Sequence, residues 1–183
     1  MLRLLTLPSH DLPPEIKCQV VSFMRIYAWP VFQSQPLGWD FMDEARHPFS
    51  LALVDGEVLI SHAEVNWRAL DHAGDTFIMY GLSAVFTYPQ FRGQGYGHQV
   101  VEAATNHILS SEADVAMLGC QPELTEFYSA HGWSPMKEVK ILIGSKDSLT
   151  QGGNVMLLFV SEKGRRSRAA FKREPVYVGA YMW

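Results

Sequence analysis

Phe91-Arg92-Gly93-Gln94-Gly95-Tyr96-Gly97 is the stretch that decides how this 183-residue chain folds. The residues before it, Asp75 to Tyr88, read as a strand. Those after it, Gly97 to Ser111, place Val100, Val101, Ala104 and Ile108 on one helical stripe. Asp114 to Cys120 then reads as a short, largely apolar strand. Strand, glycine turn, helix and strand form a crossover unit, and such a connection normally joins parallel strands with a right hand. Where the strand ends and the helix begins, backbone amides are unpaired and the helix dipole is positive. Glycine there removes side-chain obstruction and reaches unusual backbone angles, so consecutive amides close on phosphate oxygens. The stretch is therefore a candidate phosphate cradle, the alternative being a structural turn that holds no ligand. It is neither of two familiar phosphate motifs: a nucleotide P-loop ends in Gly-Lys-Ser/Thr, and a dinucleotide fingerprint would need glycine at His98.

Working outward toward the N-terminus, Asp71 to Gly74 is a polar turn and Asp55-Gly56 a tight hairpin turn, because Asp-Gly supplies the positive φ such turns require. Ser50 to Val54, Glu57 to Trp67 and Asp75 to Tyr88 are thus expected to form an antiparallel meander. Trp29 to Arg46 is broken by Pro30 and Pro36 and reads as a loop with a helical turn near Asp40 to Ala45. Before it, Pro13 and Pro14 open a helix carrying Ile16, Val20, Phe23 and Ile26 at helical spacing, and Leu2 to Leu7 is a first strand. Toward the C-terminus, Pro122 opens a short helix to Ala130 that Gly132 ends. Val139 to Ile143 and Val155 to Val160 are two closing strands separated by a Gly144 to Asn154 loop. The basic run Lys163 to Arg168 reads as a solvated hairpin loop, and the aromatic end, with Tyr177, Tyr181, Met182 and Trp183, is expected to dock on the body.

A chain this long with 48% hydrophobic residues buries a core for one domain, residues 1–183, without disulfides or metals. A net charge of -4 gives no electrostatic basis for nucleic-acid binding. No apolar run reaches the roughly 20 residues that span a bilayer, so no membrane partner is expected. Cys18 and Cys120 lack metal-ligand spacing and suit a reducing compartment, which makes the expected location cytoplasmic. The sequence is compatible with a homodimer.

The pattern Arg-x-x-Gly-x-Gly, met by Arg92, Gly95 and Gly97, resembles the Gln/Arg-x-x-Gly-x-Gly/Ala motif of GNAT-type N-acetyltransferases. The resemblance implies that Arg92, Gly93, Gln94, Gly95, Tyr96 and Gly97 hold the pyrophosphate of acetyl-coenzyme A, with no metal. Thr87-Tyr88-Pro89 is similar to that family's approach to the turn, which implies that the backbone of Val85, Phe86 and Thr87 binds the pantetheine arm. Glu126 to Trp133, a helix bearing Phe127-Tyr128 and ending in Gly132-Trp133, resembles the same superfamily's second signature. By that resemblance the Tyr128 hydroxyl lies near the coenzyme sulfur and protonates the departing thiolate, with simple packing as the alternative. The implied fold is α/β (α+β), a mixed, mostly antiparallel twisted sheet with flanking helices.

Acetylation needs a neutral amine, so a base or a water path must take a proton. His62 and Glu64 share a face of their strand and are candidates, although either could equally face solvent. His131 is read as a helix cap and Cys120 as a buried strand residue, which leaves direct transfer without an acyl-enzyme. His62-Ala63, Arg92 to Gly97, Tyr128, Gly132-Trp133-x-Pro135 and the terminal Trp183 together resemble the aminoglycoside 2'-N-acetyltransferases. That resemblance implies a small cationic amine acceptor, aminoglycoside-like or polyamine-like, received by Asp40, Ser83 and Trp183. Ser83 stands where that family carries a carboxylate. The other reading of the chain is an acyl-coenzyme A binding or regulatory module without turnover.

Overall fold

The structure, a computed structural model, describes residues 1–34, 44–145, 148–180 and 182. They divide into two compact units, Met1–Asn66 with Ala84–Ala104, and Trp67–Ser83 with Thr105–Trp183.

In the first unit, β1 (Leu2–Pro8) leads to α1 (Pro14–Tyr27), whose first position is occupied by proline because its fixed φ fits a helix start and its missing N–H costs nothing there. A short α2 (Trp29–Ser34) follows, where the sequence predicts loop. β2 (Phe49–Asp55) lies antiparallel to β1, with Leu2 opposite Asp55 and Pro8 opposite Phe49. β3 (Val58–His72) returns antiparallel to β2 through a tight turn at Gly56-Glu57, one residue later than the expected Asp55-Gly56, because Asp55 still pairs with Val58, and Gly56 has a φ of 60°. β4 (Asp75–Thr87) neighbours β3, and both strands contribute residues to both units. α3 (Tyr96–Leu109) follows the glycine turn, and its stripe of Val100, Val101, Ala104 and Ile108 is fully buried, as the spacing predicts.

Ile16, Val20 and Phe23 of α1 pack on Ala52, Val54, Leu59 and Phe86. The rings of Phe23 and Phe86 stack with centroids 3.9 Å apart. Ile26, expected on the same stripe, is 71% exposed. At 3.6 residues per turn it falls roughly 90° from the centre of the other three positions.

In the second unit, the Ala73-Gly74 turn, with φ of 51° and 84°, joins β3 to β4. β5 (Val115–Gly119) runs parallel to β4, pairing Val115 with Met79 and Met117 with Gly81. Then come α4 (Thr125–Ser129), β6 (Ser134–Pro135), β7 (Ile141–Ser145), β8 (Ser148–Gln151), β9 (Val155–Phe159), α5 (Glu162–Arg166), α6 (Arg168–Arg173) and β10 (Val176–Tyr177). β9 is antiparallel to β5 and also pairs β6, while β7 pairs β8 antiparallel and β10 parallel. Phe77, Met79, Val115, Met117, Leu157 and Phe171 form its core. Antiparallel pairs dominate a mixed α/β architecture with flanking helices. Among the described residues no helix is long and apolar enough to cross a membrane.

Two further expectations change in this unit. The Gly144 to Asn154 loop contains β8, because Leu142 to Ser145 finds a partner in the segment that follows. The basic run is helical, not a hairpin loop. Ser161 caps α5 by accepting from the Gly164 amide at 3.0 Å and donates to Asp114 Oδ1 at 2.6 Å. Gly164 is buried so closely against the Asp114 carbonyl that a Cβ would collide with it. Lys163 bonds the Thr76 carbonyl and lies over the Phe77 ring. Its charge is spent on a structural contact.

Candidate active site

The glycine turn sits between two tightly bonded ends. β4 stops at Thr87, Pro89–Phe91 forms a 3-10 turn, and the Arg92 amide donates to the Pro89 carbonyl at 3.3 Å. The Arg92 side chain reaches back, Nε donating to the Thr87 carbonyl at 3.0 Å. Gly93 and Gly95 then adopt left-handed φ of 76° and 81°, which a residue with a Cβ takes only at a cost. Gly95 accepts the first helical bond of α3, from the Gln99 amide at 3.3 Å, and so occupies its N-cap. A Cβ built on Gly93 or Gly95 would meet nothing within 4 Å. Glycine is needed here for its backbone angles, and the space before the turn is open. The first amides of α3 have no carbonyl one turn back within the helix, and the 14-residue helix places its positive dipole end there. Unpaired helix-start amides facing open space are a place where negative charge is favoured. Val85, Phe86 and Thr87 lie in the same unit, Phe86 buried and the other two half-buried.

Just before those residues, Ala84 has a φ of 46°, a left-handed kink within a strand at a residue that is not glycine. Its carbonyl lies 3.0 Å from His62 Nδ1. His62 Nε2 lies 3.1 Å from Ser50 Oγ, which lies 2.7 Å from Ser9 Oγ. Ser9 Oγ donates to Glu64 Oε2 at 3.2 Å, and Asn66 Nδ2 donates to Glu64 Oε1 at 3.3 Å. All five polar side chains are buried, so His62 and Glu64 do not face solvent. Burial lowers the His62 pKa to about 4, against a smaller upward pull from the bond to Ala84. Burial raises Glu64, opposed by its bonds from Asn66 and Ser9 and by the Arg46 charge. Both groups are driven toward their neutral forms. Ser9, Ser50, Asn66 and Ala84 carry no signal in the sequence as site residues.

Tyr128, on α4 in the second unit, is 6% exposed, and burial followed by the Cys120 thiol pushes its pKa up to about 12. No hydrogen bond from its hydroxyl to another described residue holds it. Its backbone carbonyl accepts from the His131 amide at 3.0 Å and the Trp133 amide at 3.4 Å, closing the helix before Gly132, whose φ is 87°. Trp133 is buried and donates from Nε1 to Thr105 Oγ1 at 3.0 Å. Cys120, expected inside a strand, lies one residue past β5 and is partly exposed, with Asn154 Nδ2 at 3.5 Å. Burial still raises its thiol pKa, so it is no activated nucleophile.

Ser83 is half-buried on β4 immediately before Ala84. Asp40 and Trp183 lie outside the described residues, as do Asp43 and Tyr181. Tyr177 donates to the Gly144 carbonyl at 3.0 Å and so helps hold β10. No cluster of metal-ligating side chains occurs among the described residues.

A family described as the acetyltransferase (GNAT) domain matches residues 20–136 of the chain. No curated protein matches the sequence. Among solved structures, an acyl-CoA N-acyltransferase from Pseudomonas aeruginosa superposes with a TM-score of 0.55 at 19% identity, over 86% of this chain and 99% of that one. Escherichia coli ElaA superposes with a TM-score of 0.53 at 18% identity, over 86% and 99% of the two chains. A GCN5-related N-acetyltransferase from Ralstonia eutropha gives 0.58 at 16% identity, over 76% and 96%.

Proposed function

Since the chain belongs to the GNAT family of acetyltransferases, we propose that it moves the acetyl group of acetyl-coenzyme A directly to a primary amine of a small cationic acceptor. The observation that carries this reading is the turn at Gly93 and Gly95, left-handed twice and open to the outside, at the N-terminus of α3. Acetyl-coenzyme A supplies the thioester whose acetyl group is transferred. Arg92 to Gly97 present backbone amides to its pyrophosphate, and the backbone of Val85 to Thr87 lies along its pantetheine arm.

Tyr128 holds a proton on its hydroxyl for sulfur. With its pKa near 12, it stands roughly 3.5 units above an ordinary thiol, so it acts first as a hydrogen-bond donor to developing charge. As the N–C bond forms and the C–S bond breaks, the Tyr128 proton passes to sulfur and the proton lost by the amine nitrogen returns to the Tyr128 oxygen, so the coenzyme leaves as a thiol, the product is a neutral amide and the phenol is restored. The acceptor site is assigned to Asp40, Ser83 and Trp183, because a carboxylate pairs with an ammonium and an aromatic face attracts cations and stacks on sugar rings. This favours an aminosugar or a polyamine.

The test is release of free coenzyme A against a panel of aminoglycosides, polyamines and simple amines. Release dependent on one class of cationic amine is the expected result. Binding of acetyl-coenzyme A with no release above background for any amine would replace this reading with that of a module that binds without turnover.

A further inference from the structure

Ala84 holds a backbone conformation that its own side chain opposes. Its φ of 46° falls where residues with a Cβ are uncommon, and nothing in the local sequence asks for it. Such a kink persists only where its surroundings hold it, and here the holding group is identifiable. The Ala84 carbonyl oxygen only accepts hydrogen bonds, so the His62 nitrogen 3.0 Å away, Nδ1, must carry the hydrogen. In the neutral ring Nε2 is then the acceptor, and Ser50 Oγ, 3.1 Å away, donates to it. Ser50 has spent its one hydrogen, so it accepts from Ser9 at 2.7 Å, and Ser9 shares its hydrogen with Glu64 Oε2 at 3.2 Å. The ring is also wedged beside Phe86, with centroids 5.4 Å apart, and is completely buried. Position and orientation of the imidazole are thus specified by groups other than Ala84, and the Ala84 carbonyl selects the tautomer.

We propose that His62 is a positioning residue for acyl-coenzyme A: by holding the Ala84 carbonyl, it keeps β4 kinked so that the backbone from Val85 to Thr87 stays shaped for the cofactor's arm. The inference rests on the reading that these residues carry that arm. A strand kink of this kind interrupts the regular ladder and re-aims the residues that follow it. Without His62, Ala84 relaxes to an extended conformation, and binding must then supply the free energy of kinking it again. The expected loss is the cost of a left-handed non-glycine residue, between about 5-fold and about 150-fold in affinity.

The test is calorimetric titration of acetyl-coenzyme A into four folded variants, with ring-nitrogen NMR of the wild-type histidines. His62→Leu removes both nitrogens and is expected to weaken binding within that range. His62→Asn places its amide donor near the position of Nδ1 and is expected to keep wild-type affinity, whereas His62→Gln places it near Nε2 and is expected to lose as much as His62→Leu. Adding Ala84→Gly to His62→Leu removes the penalty for left-handed φ and is expected to restore most of the loss, a rescue that a core-filling histidine would not permit. The wild-type His62 spectrum should show hydrogen on Nδ1 and none on Nε2.

Affinity within twofold of wild type in His62→Leu, absence of rescue by Ala84→Gly, or an Nε2-protonated His62 would each overturn the proposal. If His62→Leu does not fold, the contrast between His62→Asn and His62→Gln and the tautomer decide it. If wild-type protein binds no acetyl-coenzyme A, the functional reading falls and this one with it. If wild type binds and Gly95→Trp abolishes that binding while the His62 variants match wild type, only the positioning role falls.

Discussion

Arg92 Nε donates to the Thr87 carbonyl at 3.0 Å, tying the first residue of the glycine motif to the last residue of β4. The bond fixes the angle at which the chain leaves the strand. The motif's arginine therefore has a structural partner as well as a charge to offer.

Replacing Arg92 by Ala is expected to remove both contributions unequally. The lost bond is exposed and costs about 1 kcal/mol or less of fold stability. Cofactor affinity should fall by more, about 10-fold, because the misdirected turn and the missing cation both act on the pyrophosphate. Urea denaturation and calorimetric titration on the same preparation check the two effects.

Gly95 has a φ of 81° with open space beyond it, so substitution acts through conformation and through obstruction of the amides. Gly95→Ala should cost about 1–2 kcal/mol of stability from the left-handed backbone alone. Gly95→Trp should in addition block the approach to the amides and abolish measurable acetyl-coenzyme A binding. A folded Gly95→Trp protein with wild-type affinity would contradict the cradle.

Tyr128→Phe keeps the ring packed and removes only the hydroxyl. Turnover is expected to fall about 100-fold to 10,000-fold, the range for a general acid, while acetyl-coenzyme A affinity stays within about twofold. Steady-state kinetics and titration separate these. A turnover change below roughly threefold would leave Tyr128 as a packing residue.

The folded chain binds a proton on His62 less readily than the unfolded chain, since its pKa is about 4 against an ordinary 6.5. Between those values the unfolded state takes up a proton that the folded state refuses, so stability falls as pH falls through that window, by up to about 3 kcal/mol. Glu64 acts in the opposite sense: its raised pKa contributes stability below 4.5 that is lost as pH rises through the raised value. His62→Asn should therefore flatten the loss between pH 6.5 and pH 4, and Glu64→Gln should remove the decline on the alkaline side. Urea denaturation midpoints measured across pH 4 to 8 test both signs.

Much of the fold is written in short windows of the sequence. Gly56 and Ala73-Gly74 make the positive φ their turns need, and the stripe on α3 is buried where a period of 3.6 places it. The glycine motif is legible for the same reason, since left-handed φ at Gly93 and Gly95 is a demand that only local residue type satisfies. Tyr128 stands out because its helix, glycine and aromatic lie within eight residues, Glu126 to Trp133.

What the sequence by itself determined, then, is the early meander, the crossover from β4 through the glycine turn and α3 to β5, and the helix that carries Tyr128, all properties of neighbours along the chain. The tertiary structure decided the rest. Ser9 meets Ser50 and Glu64 across separations of 41 and 55 residues, and the Ala84 carbonyl meets His62 across 22, which together make His62 a buried donor where alternation along β3 left it free to face solvent. Lys163 and Gly164 lie in a helix rather than a loop because Ser161 and Asp114, 47 residues apart, provide a cap and a carbonyl to pack against. The physical reason is common to these cases: backbone preference is settled within a few residues, whereas whether a polar side chain is desolvated, and which partner then satisfies it, depends on distant segments brought together by packing.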